Sequence, residues 1–233
     1  MNFRSLIVVP ARAGSKGLPD KNVKALAGRP LLAWTADAIA EANVNDCLAI
    51  LSTDSEDYAK VGRETGMAVP FLRPAGLSGD SASAIDVVGH AIEWFLDSYG
   101  YLPETVMWLQ PTSPFRGAAT IRRTLGIRSD LNADAVIGCK EIHRNLTTLF
   151  DLENGFMRPL DHKSPTQICR QQTEPLLTPN GAMYLCKTDY LLEHKSFYPP
   201  KTVPLVMNAI QSLDIDTEED WAIAEAFIKQ GLV

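Results

Sequence analysis

Through the first 140 residues, short apolar runs alternate with amphipathic windows of helical period, and this rhythm limits the possible folds more than any other feature. Continuous apolar runs suit strands buried on both faces, and strands separated by helices pair in parallel with helices packed above and below. The runs at 6–9, 48–52, 67–71, 105–109 and 135–139 are predicted strands. Windows 30–42 and 56–65 are predicted helices, the first opened by Pro30, since proline is tolerated in a first helical turn. A third helix is predicted from Ser83. There Ser83 and Asp86 are spaced as a capping box, and Ile85, Val88, Ile92, Phe95 and Tyr99 form an apolar stripe that reads as core packing.

The rhythm fails at 141–179, where 149–152 and 156–160 suggest a hairpin about Asn154-Gly155, followed by a polar stretch rich in proline and glutamine. Sheet character returns at 182–186 and 202–206, and a last helix is expected after Thr217, which stands to Asp220 as in a capping box. A chain of 233 residues removes about 70% of its unfolded surface from water in one core. The expectation is a single α/β domain over 1–233, with 141–179 as an excursion from a mainly parallel sheet.

The net charge of −6 argues against nucleic acid or an anionic membrane as the main partner, because both reward a basic face. No apolar run approaches the ~20 residues of a membrane span, and the N-terminus lacks the apolar region of a signal peptide, so the cytoplasm is the expected compartment. Cys47, Cys139, Cys169 and Cys186 form no C-x-x-C pair. The four histidines are equally scattered, which leaves neither a zinc spacing nor a histidine-based nucleophile signature.

Three segments carry chemistry. In the first, the run at 6–9 enters a basic, glycine-bearing loop that gathers Arg12, Ser15, Lys16 and Lys21 beyond the strand's carboxyl end, where open α/β sheets bind ligands. Gly14-Ser15-Lys16-Gly17 matches neither the Walker nor the dinucleotide glycine pattern. Backbone N–H groups and cations suit a polyphosphate, and a solvated basic turn has the same composition. The second is Asp214-Ile215-Asp216, whose acids at period two in an extended segment point to one face. Such a pair suits Mg²⁺, and equally an acidic helix start. The third is 108–116, a strand running into a loop stiffened by Pro111 and Pro114, which presents the Gln110 amide; in the plain-turn alternative Arg116 lies at the surface.

These blocks resemble, in order, the cytidylyltransferases that activate 3-deoxy-2-keto sugar acids, the family of CMP-sialic acid and CMP-Kdo synthetases, and within it the acylneuraminate branch. The resemblance rests on PARAGSKGLPDKN at 10–22, STD at 52–54, LRPAGLSGDSAS at 72–83, LQPTSPFR at 109–116, Arg170-Gln171-Gln172, PNGAMY at 179–184 and DIDTEED at 214–220. It implies a Rossmann-like three-layer αβα sandwich of the nucleotide-diphospho-sugar transferase type, with a small protruding dimerisation subdomain. It also implies transfer of CMP from CTP to the anomeric 2-hydroxyl of the acid, with release of pyrophosphate.

By the same resemblance, Arg12, Ser15, Lys16 and Lys21 serve the triphosphate, and Asn22, Arg73 and Ser83 serve the cytidine or its phosphate. Asp214 and Asp216 fall on the family's metal acids for Mg²⁺, with Arg12 and Lys21 joining them in catalysis. Gln110, Arg170, Asn180, Tyr184, Phe197 and Tyr198 fall where the sugar acid is contacted, and 141–179 corresponds to the region that forms homodimers. One departure stands out: Thr178 occupies a position where neuraminate members often carry arginine. The acceptor is thereby left open among sialic, legionaminic and pseudaminic acids and the eight-carbon Kdo. A nucleotidyltransferase acting on a sugar 1-phosphate or a molybdopterin-like cofactor, and a silent nucleotide-sugar-binding module, are the competing readings.

Overall fold

The computed structural model describes residues 2–14, 17–79, 82–143, 148–160 and 175–233. In chain order its elements are β1 (Ser5–Pro10), β2 (Ala25–Leu26), β3 (Arg29–Pro30), α1 (Leu31–Ala42), β4 (Cys47–Ser52), α2 (Glu56–Glu64) and α3 (Ala84–Tyr99). Then follow β5 (Thr105–Leu109), α4 (Ala118–Leu131), β6 (Ala135–Ile142), β7 (Phe150–Glu153), β8 (Phe156–Pro159), β9 (Leu176–Lys187), α5 (Thr188–His194), β10 (Thr202–Val206) and α6 (Glu218–Lys229).

The main sheet has the order β10-β6-β9-β5-β1-β4. β1 runs parallel to β4 and β5, β10 runs parallel to β6, and β9 is antiparallel to both of its neighbours. Alternation along β1 explains the three layers: Ile7 and Val9 join a core with Leu51, Met107 and Ile121, while Leu6 and Val8 join another with Val88, Phe95 and Val106. The connection from β1 leads to β4 on one side and the connection from β5 leads through α4 to β6 on the other, so a crevice opens between the carboxyl ends of β1 and β5, at that switch point. A third cluster, with Leu18, Ile215 and Trp221, packs α6 beneath the loop that follows β1.

Several expectations change. The run at 67–71 makes an isolated bridge to β4, Ala68 with Ile50, and Leu72 just beyond it bridges Thr53, because Pro70 lacks the N–H that a continuous ladder needs. Pro30 is the N-cap of α1 rather than its first residue, with extended backbone set by its pairing in β3. The excursion is shorter than 141–179: β6 continues to Ile142 and β9 begins at Leu176, paired from Cys139↔Pro179 to Ile142↔Leu176. The periodic reading also omitted α4 and α5. In contrast, the β7–β8 hairpin turns on Asn154 and Gly155, both at positive φ, and capping boxes open α3 and α6.

Candidate active site

A cleft of about 670 Å³ occupies the switch point. Arg12, Lys21, Asn22, Arg73, Ser83, Gln110, Asp214 and Asp216, which come from six separate stretches of chain, all line it. Trp108, Pro111, Thr112 and Thr217 complete the parts of the wall that bear on its chemistry. Ser15, Lys16 and Arg170 lie outside the described residues.

On the basic side, Arg12 Nη1 donates to the Ser78 carbonyl and Arg73 Nε to the Ser78 hydroxyl, each at 3.3 Å. The short 3₁₀ turn Ala75–Leu77 places Ser78 between the two guanidiniums. Arg73 is buried, one of its terminal nitrogens makes no hydrogen bond, and the nearest carboxylate oxygen, on Asp54, lies 3.8 Å away. Burial lowers its pKa from the ordinary arginine value, attraction to Asp54 opposes this, and repulsion from Arg12 adds a smaller lowering. A buried, under-satisfied cation of this kind is a receptor for an anion. Asp54 also accepts from the Ala13 N–H at 2.9 Å, pinning the start of the loop, and Tyr58 donates to Asp20 at 3.0 Å, pinning its far end. The N-termini of α3 and α6, at Ser83 and Thr217, border the same cleft and favour negative charge.

On the acidic side, the Asp214-Ile215-Asp216 segment belongs to no strand, and the two acids differ: Asp214 is half-buried and Asp216 exposed. Lys21 Nζ donates to Asp216 Oδ1 at 2.6 Å and to the Ile215 carbonyl at 3.0 Å. Asp214 Oδ1 is a buried acceptor without a hydrogen-bond partner. Burial raises the Asp214 pKa above the usual carboxylate value, the Thr112 hydroxyl opposes this, and Asp216 adds to it. Among the described residues no three His, Cys, Asp or Glu side chains gather as a metal cluster. Two hard oxygens with one unsatisfied fit Mg²⁺, which fills its shell from water and substrate phosphate.

Glycines bring the two sides together. A Cβ on Gly17 would stand 2.5 Å from the Asp216 carbonyl oxygen, so only glycine lets the basic loop pack against the acidic segment. Gly181, at φ +80°, lies where a Cβ would stand 2.9 Å from both Asp214 Oδ2 and Gln110 Oε1. This approach depends on an irregularity: Ile137 faces Tyr184 and Cys139 faces Pro179, leaving Gly138 alone opposite residues 180–183, a bulge in β9. Neither Gly17, Gly181 nor Asp54 was singled out from sequence, although an Asn-Gly pair inside a strand pattern signals such a bulge.

Asn180, Tyr184, Phe197 and Tyr198, which the resemblance assigns to the sugar acid, sit apart from the cleft wall. Asn180 is buried, its Nδ2 donating to Ser212 Oγ at 3.0 Å and its Oδ1 accepting from Ala182 N at 3.1 Å, so its amide is engaged internally. Tyr184 pairs across the ladder with Trp108 of the cleft, and its ring lies 5.5 Å from Phe197 and 6.3 Å from Tyr198. This aromatic shelf continues the Trp108 wall, with Tyr198 exposed and Phe197 buried. Arg116 is fully buried rather than at the surface.

Residues 6–231 match the family described as Cytidylyltransferase. The chain belongs to that family. It is 34% identical over 229 residues to the CMP-N,N'-diacetyllegionaminic acid synthase of Legionella pneumophila, covering 97% of each chain. It is 35% identical over 224 residues to the N-acylneuraminate cytidylyltransferase of Streptococcus agalactiae serotype III, covering 94% of this chain but 52% of that longer protein. Among solved structures, CMP:2-keto-3-deoxy-manno-octonic acid synthetase complexed with CTP superposes with a TM-score of 0.69 at 16% identity, over 98% of this chain and 99% of that one. That likeness establishes the Rossmann-like fold of this cytidylyltransferase.

Proposed function

We propose that this cytidylyltransferase moves CMP from CTP to the anomeric 2-hydroxyl of a nonulosonic acid: the hydroxyl oxygen bonds to the α-phosphorus, the bond to pyrophosphate breaks, and the hydroxyl proton leaves to solvent. The observation that carries this reading is the convergence of Arg12, Lys21, Asn22, Arg73, Ser83, Gln110, Asp214 and Asp216 on one cleft. Arg12 and Arg73 meet the N-terminus of α3 there, and the Asp214/Asp216 pair, with Lys21, meets the N-terminus of α6.

Arg12 and Lys21 neutralise charge gathering on the phosphates as pyrophosphate departs, with Ser15 and Lys16 assigned to the same triphosphate. Arg73, Asn22 and Ser83 hold the cytidine half, Asn22 Oδ1 being a buried acceptor without a partner. Gln110, with Arg170, Asn180, Tyr184, Phe197 and Tyr198, is assigned to the acid, an arginine being suited to its carboxylate. Asp214 and Asp216 would hold Mg²⁺, on the ground of the unsatisfied Asp214 oxygen. When bound, the ion polarises the α-phosphate and lowers the pKa of the attacking hydroxyl.

A legionaminic-type acid heads the acceptor candidates, supported by the relative named for that sugar, which matches this chain over 97% of its length. The reading includes a cytoplasmic homodimer joined through the β7–β8 excursion, where Leu152, Phe156 and Met157 are exposed apolar side chains. The test is a panel of 2-keto-3-deoxy sugar acids with CTP and Mg²⁺, scored for pyrophosphate and repeated with ATP, GTP and UTP. Release with CTP and a nonulosonic acid is expected; binding of CTP without release for any acid would establish a silent module instead.

A further inference from the structure

Arg116 is fully buried and faces only neutral acceptors. Its Nη1 donates to the Gln110 carbonyl at 3.1 Å and the Ala182 carbonyl at 2.6 Å, and its Nη2 donates to the Thr35 hydroxyl at 2.8 Å. Its Nε is buried without a partner. Burial pulls its pKa down to about 9, so the group stays charged at neutral pH with its solvation lost. Covering a few carbonyls is a poor reason to bury an unpaired cation, because well-packed apolar residues at such sites are often no less stable. What the guanidinium does join is the end of β5, the β9 bulge and α1. The two carbonyls it grips flank the place where Gly181 lies beneath both the Gln110 amide and the Asp214 carboxylate.

We propose that Arg116 is a positioning residue for the acceptor half of the reaction, holding the Gln110 and Ala182 carbonyls so that the Gln110 amide keeps a fixed place beside Asp214 across Gly181. This rests on the reading that Gln110 contacts the sugar acid. Arg116 itself does not line the cleft. Its rigid fork reaches three acceptors at once, which the single ammonium of lysine does not reproduce.

The test is a double-mutant cycle with Arg116→Lys and Gln110→Ala, measuring KM for the acid acceptor, kcat, and the CTP dissociation constant in the absence of acid. Arg116→Lys is expected to raise the acceptor KM by about tenfold and leave CTP affinity within about twofold. In the Gln110→Ala background, the same change is expected to add less than about twofold, because the group it places is gone. Thr35→Val, which removes one acceptor from the far end of the fork, is expected to give a smaller rise of the same kind and decides the matter if the lysine variant does not fold. Equal losses in CTP and acceptor binding, fully multiplicative penalties in the double variant, or an unchanged acceptor KM in the folded variants would overturn the proposal. Wild-type protein that transfers CMP to no acid would instead overturn the reading on which it rests.

Discussion

At Gly181 the demands of backbone and site coincide, because its positive φ and the crowding from Asp214 and Gln110 both exclude a side chain. Gly181→Ala must take up a left-handed conformation that costs about 1–2 kcal/mol and must displace at least one functional group. A displacement near 1 Å costs about a hundredfold in rate, so kcat is expected to fall by that order while thermal unfolding shows a fold weakened but retained. Unchanged kcat would mean that Gly181 does not set the Gln110–Asp214 spacing. The sequence marks Gln110 and Asp214 as candidates but not Gly181, and it carries no sign of the accessibility of any of them. Nothing in Pro-Phe-Arg distinguishes a surface guanidinium from Arg116 in the interior, because its partners, Thr35 and Ala182, lie far away in the chain. Asn180, assigned to the sugar acid, likewise lies against Ser212 and Met207, which sequence spacing does not bring near.

Elements with their own punctuation are legible in the sequence. α3 and α6 carry capping boxes, and the β7–β8 turn carries Asn-Gly, so local chemistry alone fixed them. Helix α4 was missed because its apolar face is weak and interrupted by Arg122, Arg123, Arg128 and Asp130. In β9 only 182–186 shows a strand pattern in the sequence, because the bulge and Pro179 conceal the period of its first half. Thr217→Ala removes one cap and is expected to destabilise by about 1 kcal/mol in denaturant titration, with the first turn of α6 exchanging amide protons faster. The thiols of Cys47 in β4 and Cys186 in β9 predict a pH dependence: burial raises both from 9.0 to about 12. A group with a raised folded-state pKa contributes stability that is complete below its unfolded pKa and lost as pH climbs through the folded one. Denaturant midpoints should therefore hold steady up to pH 9 and fall from there towards 12, less steeply in Cys186→Ala. An equal slope in that variant would show that Cys186 titrates alike in both states.

For the whole molecule, the order of strands makes the site. β1 lies between β4 and β5, so loops from distant stretches of sequence meet at its carboxyl end, and the net charge of −6 is locally reversed there by Arg12, Lys21 and Arg73. The hairpin stands outside this core: Leu152 is 72% exposed and Phe156 78%. Replacing both by Glu is expected to leave the fold intact and convert a dimer to a monomer in light scattering; a wild-type protein that is monomeric and fully active would refute the dimer. The proposed reaction turns on the buried Asp214 oxygen and the cleft around it. The most direct measurement is pyrophosphate release from CTP with Mg²⁺ and a legionaminic-type acid, compared between wild type and Asp214→Asn at matched CTP occupancy. A loss of about 3 kcal/mol or more of transition-state stabilisation is expected, with CTP still bound and the fold retained. Turnover by Asp214→Asn close to that of wild type would contradict it.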